Sequence, residues 1–125
     1  MSVGIPLIVY PEKPDTYKFV QFYRLDSKPV LRLSSSPGSS GFHAFILRDF
    51  ARELGMKSIR SPHTGIIYLP EDFPYEPCGF GSCYAENGKL RVDAGSKSED
   101  YGIRVDRGHF TDMCNRIPEL NIEFV

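Results

Sequence analysis

The residues best suited to chemistry in this sequence are three histidines, three cysteines and one stretch rich in serine and glycine. The stretch runs from Ser34 to Gly41, and in it Ser36, Gly38, Ser39, Ser40 and Gly41 precede a helical pattern. Free backbone N–H groups at a helix start, the helix dipole and several hydroxyl donors suit a phosphate or a carboxylate. The first turn of the expected helix carries no acidic residue to compete with a bound anion. His43 follows directly and falls inside the helix's apolar arc, where an imidazole can act as general acid or base or donate to an oxyanion. The stretch lacks the Gly-Lys-Ser/Thr ending of a P-loop and the glycine spacing of a dinucleotide fold. A capped loop, with Ser39 or Ser40 as N-cap, is the simpler account of it.

His109 sits beside Arg107, and two histidines with an arginine are the minimum for metal-free cleavage of a phosphodiester, one as base and one as acid. His43, Arg107 and His109 are therefore the catalytic set if the chain is an enzyme, although no spacing among them is diagnostic. His63 lies in a turn, Ser61-Pro62-His63-Thr64-Gly65. Cys78 and Cys83 are five apart, as are His109 and Cys114, which composes a conceivable three-sulfur, one-nitrogen zinc set. Gly79 and Gly81 allow the first pair to wrap an ion, but side chains five apart on a helix diverge by about 140°. Separate reduced thiols are the simpler reading, with a Cys78 to Cys83 disulfide as a further alternative. No cofactor is expected.

A fourth constellation suits recognition. The segment Pro70-Glu71-Asp72-Phe73-Pro74-Tyr75-Glu76-Pro77 holds three prolines, three acids and two aromatics. Proline restricts the free chain, so that docking costs less ordering entropy, and aromatic side chains make efficient anchors. Phe45 projects from the polar side of the helix, between the directions of Arg48 and Asp49. Phe45, Phe73, Tyr75 and Phe80 are thus the expected protein-interface residues, and a satellite core is the competing role for Phe45 and the loop aromatics alike.

The elements that must position these groups can be read from periodicity. Residues 42–54 form one principal helix: Ile46, Leu47, Phe50, Ala51 and Leu54 share an arc, with Arg48, Asp49, Arg52 and Glu53 opposite and Gly55 as the stop. Strands are expected at Val3 to Tyr10, Tyr17 to Leu25, Pro29 to Leu33, Ser58 to Ser61, Gly65 to Leu69, Ser82 to Ala85, Lys89 to Asp93, Gly102 to Val105 and Glu119 to Phe124. A short helix or turn is expected near His109 to Asn115. Pro6 demotes the first strand to an edge, Asn87-Gly88 marks a hairpin, and the prolines from Pro70 to Pro77 argue for a long loop. Leu90-Arg91-Val92-Asp93-Ala94-Gly95 resembles Ile103-Arg104-Val105-Asp106-Arg107-Gly108, which reads as two similar strand ends; antiparallel pairing of Val92 with Val105 would match their charges.

These elements imply an α+β fold class: a mainly antiparallel, twisted sheet of about six to eight strands with the 42–54 helix packed on one face, as one globular domain over 1–125. The 125 residues carry 15 basic and 16 acidic side chains, alternating along the chain without blocks, which argues against a polyanion stripe and hence against nucleic acid. The longest apolar stretch is far shorter than the roughly 20 residues a membrane span needs. Three cysteines and the absence of a secretory pattern after Met1 point to a cytoplasmic protein. The function expected is a small, soluble, non-enzymatic binding or regulatory protein, of inhibitor or adaptor type, acting on another protein. A phosphoryl-ligand or nucleotide binder, or a small metal-independent ribonuclease or phosphodiesterase using the Ser/Gly loop and His43, is the alternative.

The expected core is Val20, Phe22, Leu31, Leu33, Ile46, Leu47, Phe50, Leu54, Ile67, Leu69, Val92, Val105, Ile122 and Phe124. Phe50→Ala is expected to cost about 3–5 kcal/mol in denaturant unfolding, and a loss under about 1 kcal/mol would show that the helix face is wrongly assigned.

Overall fold

The structure, a computed structural model, describes residues 5–25, 27–34, 43–86, 88–98 and 101–125. Strand β1 (Asp15–Arg24) lies between β2 (Pro29–Leu33) and β5 (Tyr75–Glu86), antiparallel to both. The β1–β2 turn places Ser27 at φ +70° and closes with the Arg24 amide donating to Lys28 O at 2.9 Å. Beyond β5 come β6 (Lys89–Val92), antiparallel to it, and β7 (Asn121–Phe124), parallel to β6. The sheet order is β2-β1-β5-β6-β7, and β3 (Ile59–Arg60) with β4 (Ile67–Tyr68) forms a separate two-stranded sheet.

Alternation along β1 gives the sheet two buried faces, because side chains at successive positions point to opposite sides. Val20 and Phe22 join Val30 and Phe80 under helix α1 (His43–Glu53), while Tyr17 and Phe19 join Leu31, Cys83, Leu90 and Val92 with Phe110 and Met113 of helix α2 (Arg107–Arg116). The principal helix packs on one face as expected. It buries Ile46, Leu47, Phe50 and Ala51, with the Phe22 and Phe50 ring centroids 4.5 Å apart. It ends because Gly55 adopts φ +71°, which lets the Gly55 and Met56 amides donate to Arg52 O and Ala51 O. Arg32 of β2, buried under that end, donates to both Glu53 oxygens at 2.9 and 2.8 Å and lies 5.0 Å over the Phe50 ring. A planar guanidinium fits this double task, which an ammonium would not.

Helix α2 is set by a cap. Asp106 stays extended and its side chain accepts from the His109 amide, satisfying a donor with no partner inside the helix. The described parts of the connection between β6 and α2, residues 93–98 and 101–106, lie beside β5 beyond the end of β6, where the Phe80 amide donates to Arg104 O and the Ser82 amide to Ser96 Oγ. Close approach there requires glycine. A β-carbon on Gly79 would lie 2.8 Å from Gln21 Cδ and 2.9 Å from the Asp106 nitrogen, and one on Gly81 would lie 2.7 Å from the Phe19 ring.

Several sequence expectations need correction. Strand β5 begins at Tyr75, inside the supposed proline loop. The register of β1 on β5 shifts between Gln21, opposite Gly79, and Phe22, opposite Pro77, so Cys78 is the extra residue of a bulge. Proline is tolerated at such a break, where the regular ladder is interrupted. Val3 to Tyr10 is reduced, in its described part, to one parallel bridge between Ile8 and Leu31, and Gly102 to Val105 to one bridge between Arg104 and Lys97. Val92 therefore does not face Val105: it pairs with Cys83 and Phe124, which shield it on both sides. The expected core is only partly right: Leu33, Leu54, Leu69, Val105, Ile122 and Phe124 are only partly covered, whereas Tyr17, Phe19, Phe73, Tyr75, Phe80, Phe110 and Met113, not expected there, are buried.

Gly79→Ala is expected to lower unfolding free energy by about 1–3 kcal/mol, since the added carbon must push aside both a buried amide and a backbone nitrogen. An unchanged urea midpoint would show that the approach is not tight.

Candidate functional site

The Ser36, Gly38, Ser39, Ser40 and Gly41 part of the expected anion loop lies outside the described residues. Its neighbour His43 is buried, and its Nε2 lies 2.9 Å from Gly81 O. A carbonyl only accepts, so Nε2 carries the proton and the ring is tied to the sheet. His109 is buried on the other face, held by β1, β2 and the start of α2. Its Nε2 lies 2.9 Å from Phe22 O and 3.1 Å from Val30 O, which fixes the proton there and leaves Nδ1 to accept from Gln21 Nε2 at 3.2 Å. Burial lowers the His109 pKa below 6.5, with the carbonyls and the Asp106 and Asp112 carboxylates acting in the opposite direction.

Gln21 is the polar residue that periodicity missed. Its amide donates to Asp106 O at 2.8 Å and accepts from the Asp106 amide at 2.8 Å, so one side chain in the middle of β1 clips the capping residue of α2. A glutamine in an otherwise apolar strand was the available signal, since such an amide must find partners when buried. The two histidines thus serve backbone carbonyls on opposite faces of the sheet. Arg107 lies elsewhere, with its guanidinium 4.6 Å over the Phe124 ring. The structure does not gather the three into one site.

Cys78, Cys83 and Cys114 are free thiols, and among the described residues no three His, Cys, Asp or Glu side chains converge on a common point. Cys78 and Cys83 both sit in β5, where a rise of about 3.3 Å per residue separates them beyond disulfide reach. His109 is committed to carbonyls and Gln21, and Cys114 Sγ faces Leu120 O at 3.8 Å. Burial pushes the Cys83 thiol up to about 12, and burial together with the nearby Asp106 pushes Cys78 up to about 12. Such thiols stay protonated at neutral pH and make poor nucleophiles.

The fourth constellation is where an open cavity forms. Of the expected interface residues, Phe73, Tyr75 and Phe80 are buried, and their rings build a core with Phe50, which lies 5.6 Å from Phe73 and 5.0 Å from Tyr75. A ring so enclosed cannot insert into a partner, so the satellite-core role describes them better than surface anchors. Phe45 stays on the surface, 40% exposed, with Arg48 4.6 Å over its ring. The buried aromatics instead floor a groove of about 350 Å³. Tyr101 closes one side by stacking on Phe80 at 4.9 Å and donating its hydroxyl to Ile67 O at 2.6 Å. Leu25 and Tyr68 stand at the mouth, 76% and 49% exposed, and the exposed carboxylates of Glu71 and Glu76 also line it.

Because His109 binds its proton less readily folded than unfolded, the unfolded chain takes up a proton between the lowered pKa and 6.5, and folding stability must fall as pH drops through that window. Above 6.5 this contribution is constant. Urea unfolding from neutral pH down to about pH 5 should show a smaller decline in His109→Gln than in the wild-type chain, and equal slopes would contradict the assignment. No protein-family profile matches the chain, and a search of curated proteins returns no match, so its functional reading rests on this geometry.

Proposed function

We propose that the chain is a small non-enzymatic binding protein, of inhibitor or adaptor type, that docks on another protein through the groove beside Pro70. The groove supports this reading above all: an aromatic floor, two large apolar residues exposed at its mouth and two carboxylates beside them. Its volume falls at the lower end of the range for pockets that enclose a ligand, about 300–1,000 Å³. It suits one apolar side chain presented by an extended segment, with Lys or Arg flanking it to meet Glu71 and Glu76. The floor residues are fixed by core packing before any partner arrives, so little ordering cost remains for them.

Among its described lining the groove has no histidine, cysteine, serine or lysine, and its carboxylates Glu71 and Glu76 are exposed, where they suit a cationic flank of a bound segment. Chemistry from His43 and His109 would need both rings to give up the backbone carbonyls they now donate to. No described helix is long and apolar enough to cross a membrane. A cytoplasmic setting agrees with three free cysteines.

Selection from a displayed library of random extended peptides tests the proposal without a known partner. Enrichment of one apolar residue next to Lys or Arg is expected, with a loss of at least about ten-fold in affinity for Leu25→Glu. The double variant Glu71→Lys, Glu76→Lys should turn the flanking preference from basic to acidic. Failure to enrich any motif, or enrichment indifferent to these changes, would sink the reading; Phe73 and Tyr75 are left intact because altering them tests the core instead.

A further inference from the structure

Charge alternates along the sequence of α1, yet the helix sorts it by side. Asp49 and Glu53 line a cavity shared with Arg32, where Glu53 is consumed by the Arg32 ion pair. Arg48 and Arg52, one turn apart, line a different surface. Two adjoining cavities there, of about 370 and 440 Å³, have Arg48 and Ser58 in common. Arg60 contributes to the first and Lys57 to the second, and no Asp or Glu is among the described residues lining either. The continuous furrow therefore gathers four cations, tempered by the contact of Arg48 with Asp49 at 3.2 Å. Phe45 lies at one end, 40% exposed, with the Arg48 guanidinium 4.6 Å over its ring.

Those two features call for different parts of one ligand. Closely spaced cations in water gain most from a polyanion, whose counterions they release. A phenyl ring layered with a guanidinium offers flat surfaces on which a planar heterocycle stacks, irrespective of its identity. We propose that this furrow binds nucleotide units, phosphoryl groups lying along Arg48, Arg52, Lys57 and Arg60 and a base stacking at Phe45. The units come from a free nucleoside triphosphate or from an exposed stretch of single-stranded nucleic acid, which share this chemistry. The overall charge of −1 does not oppose it, since the field at a furrow is set by the nearest charges within a Debye length of about 8–10 Å. The site adjoins the Pro70 groove, with Ile67 lining both, but none of the four cations lines that groove and neither binding activity depends on the other.

Fluorescence anisotropy of a labelled short oligothymidylate at low salt, with ATP and inorganic tripolyphosphate as competitors, tests the proposal. Binding is expected to weaken with salt, the logarithm of affinity falling by about 0.7 per phosphate contacted for each tenfold rise in salt. Arg52→Glu with Arg60→Glu should reduce affinity at least ten-fold; both side chains are exposed, so the unfolding midpoint should hold, and Lys57→Glu on the loop provides an independent reversal. Phe45→Ala should weaken oligothymidylate and ATP while leaving tripolyphosphate unchanged. Competition by ATP at similar strength supports the free nucleotide, and binding of the oligomer alone supports the strand. No binding by either at low salt, binding untouched by the charge reversals, or a Phe45→Ala effect equal on ATP and tripolyphosphate would overturn it.

Discussion

A single buried amide, that of Gln21, ties strand β1 of the sheet to the start of α2. It satisfies both backbone groups of Asp106 and meets His109, which in turn reaches the carbonyls of Phe22 and Val30. Buried polar groups are costly unless paired, and this set is paired almost entirely within itself. Removing any one member would strand the others. The bulge at Cys78 occurs at the same point, and it decides which side chains at the start of β5 face α1. Without the extra residue, strict alternation from Phe80 would aim Cys78 and Glu76 at α1 and turn Tyr75 away from it. The insertion reverses that, burying Tyr75 beside Phe50 and leaving Glu76 exposed. The floor and part of the rim of the Pro70 groove thus depend on a one-residue irregularity beneath a glutamine.

Local signals in the sequence were sufficient for the elements whose stability is local. The helix over 42–54 was legible from its arc and from Gly55, and the Pro29 to Leu33 strand and the hairpin at Asn87-Gly88 from alternation and turn chemistry. Strand β5 was not, because Pro74, Pro77, Gly79 and Gly81 all argue against a strand when no neighbour is in view. Three of them have a tertiary reason: Pro77 borders the break in the ladder and the glycines admit Gln21, Asp106, Phe19 and Val105, while Pro74 precedes the strand. Misreading that segment as a loop is also what placed Tyr75 on the surface, whereas Phe73 precedes the strand and is buried from the loop itself. The parallel pairing of β7 with β6 was equally hidden, since it depends on how the chain crosses back through α2 and not on either strand's composition.

The candidate sites divide along the same line. Histidines and cysteines attract functional readings by residue type; here His43 and His109 bond to backbone carbonyls and Cys83 lies in apolar surroundings. The groove and the cationic furrow arise instead from residues of ordinary type brought together from distant positions. Leu25 meets Tyr68 and Glu76 only when β1, β4 and β5 assemble, and Arg48 meets Arg60 only when the β3–β4 sheet packs along α1. A chain of balanced charge can accordingly present an acidic-rimmed surface and a basic one at neighbouring places, with Ile67 contributing to both.

The central position of β1 also shapes how the chain reaches its native state. Its partner β2 comes immediately after it in the chain, but β5 joins it through pairs running from Arg24 with Tyr75 to Asp15 with Ala85, so a large part of the chain must be looped out first. Closing such a loop loses entropy before any contact compensates, and folds dominated by distant pairings cross their barrier slowly. The hairpins β1–β2 and β5–β6 can each form from nearby residues, yet alone they leave Phe19, Phe22 and Phe80 uncovered. Their docking is the step at which collapse becomes specific, and until then the open edge of β1 is the part of the nascent chain most exposed to mispairing with another copy.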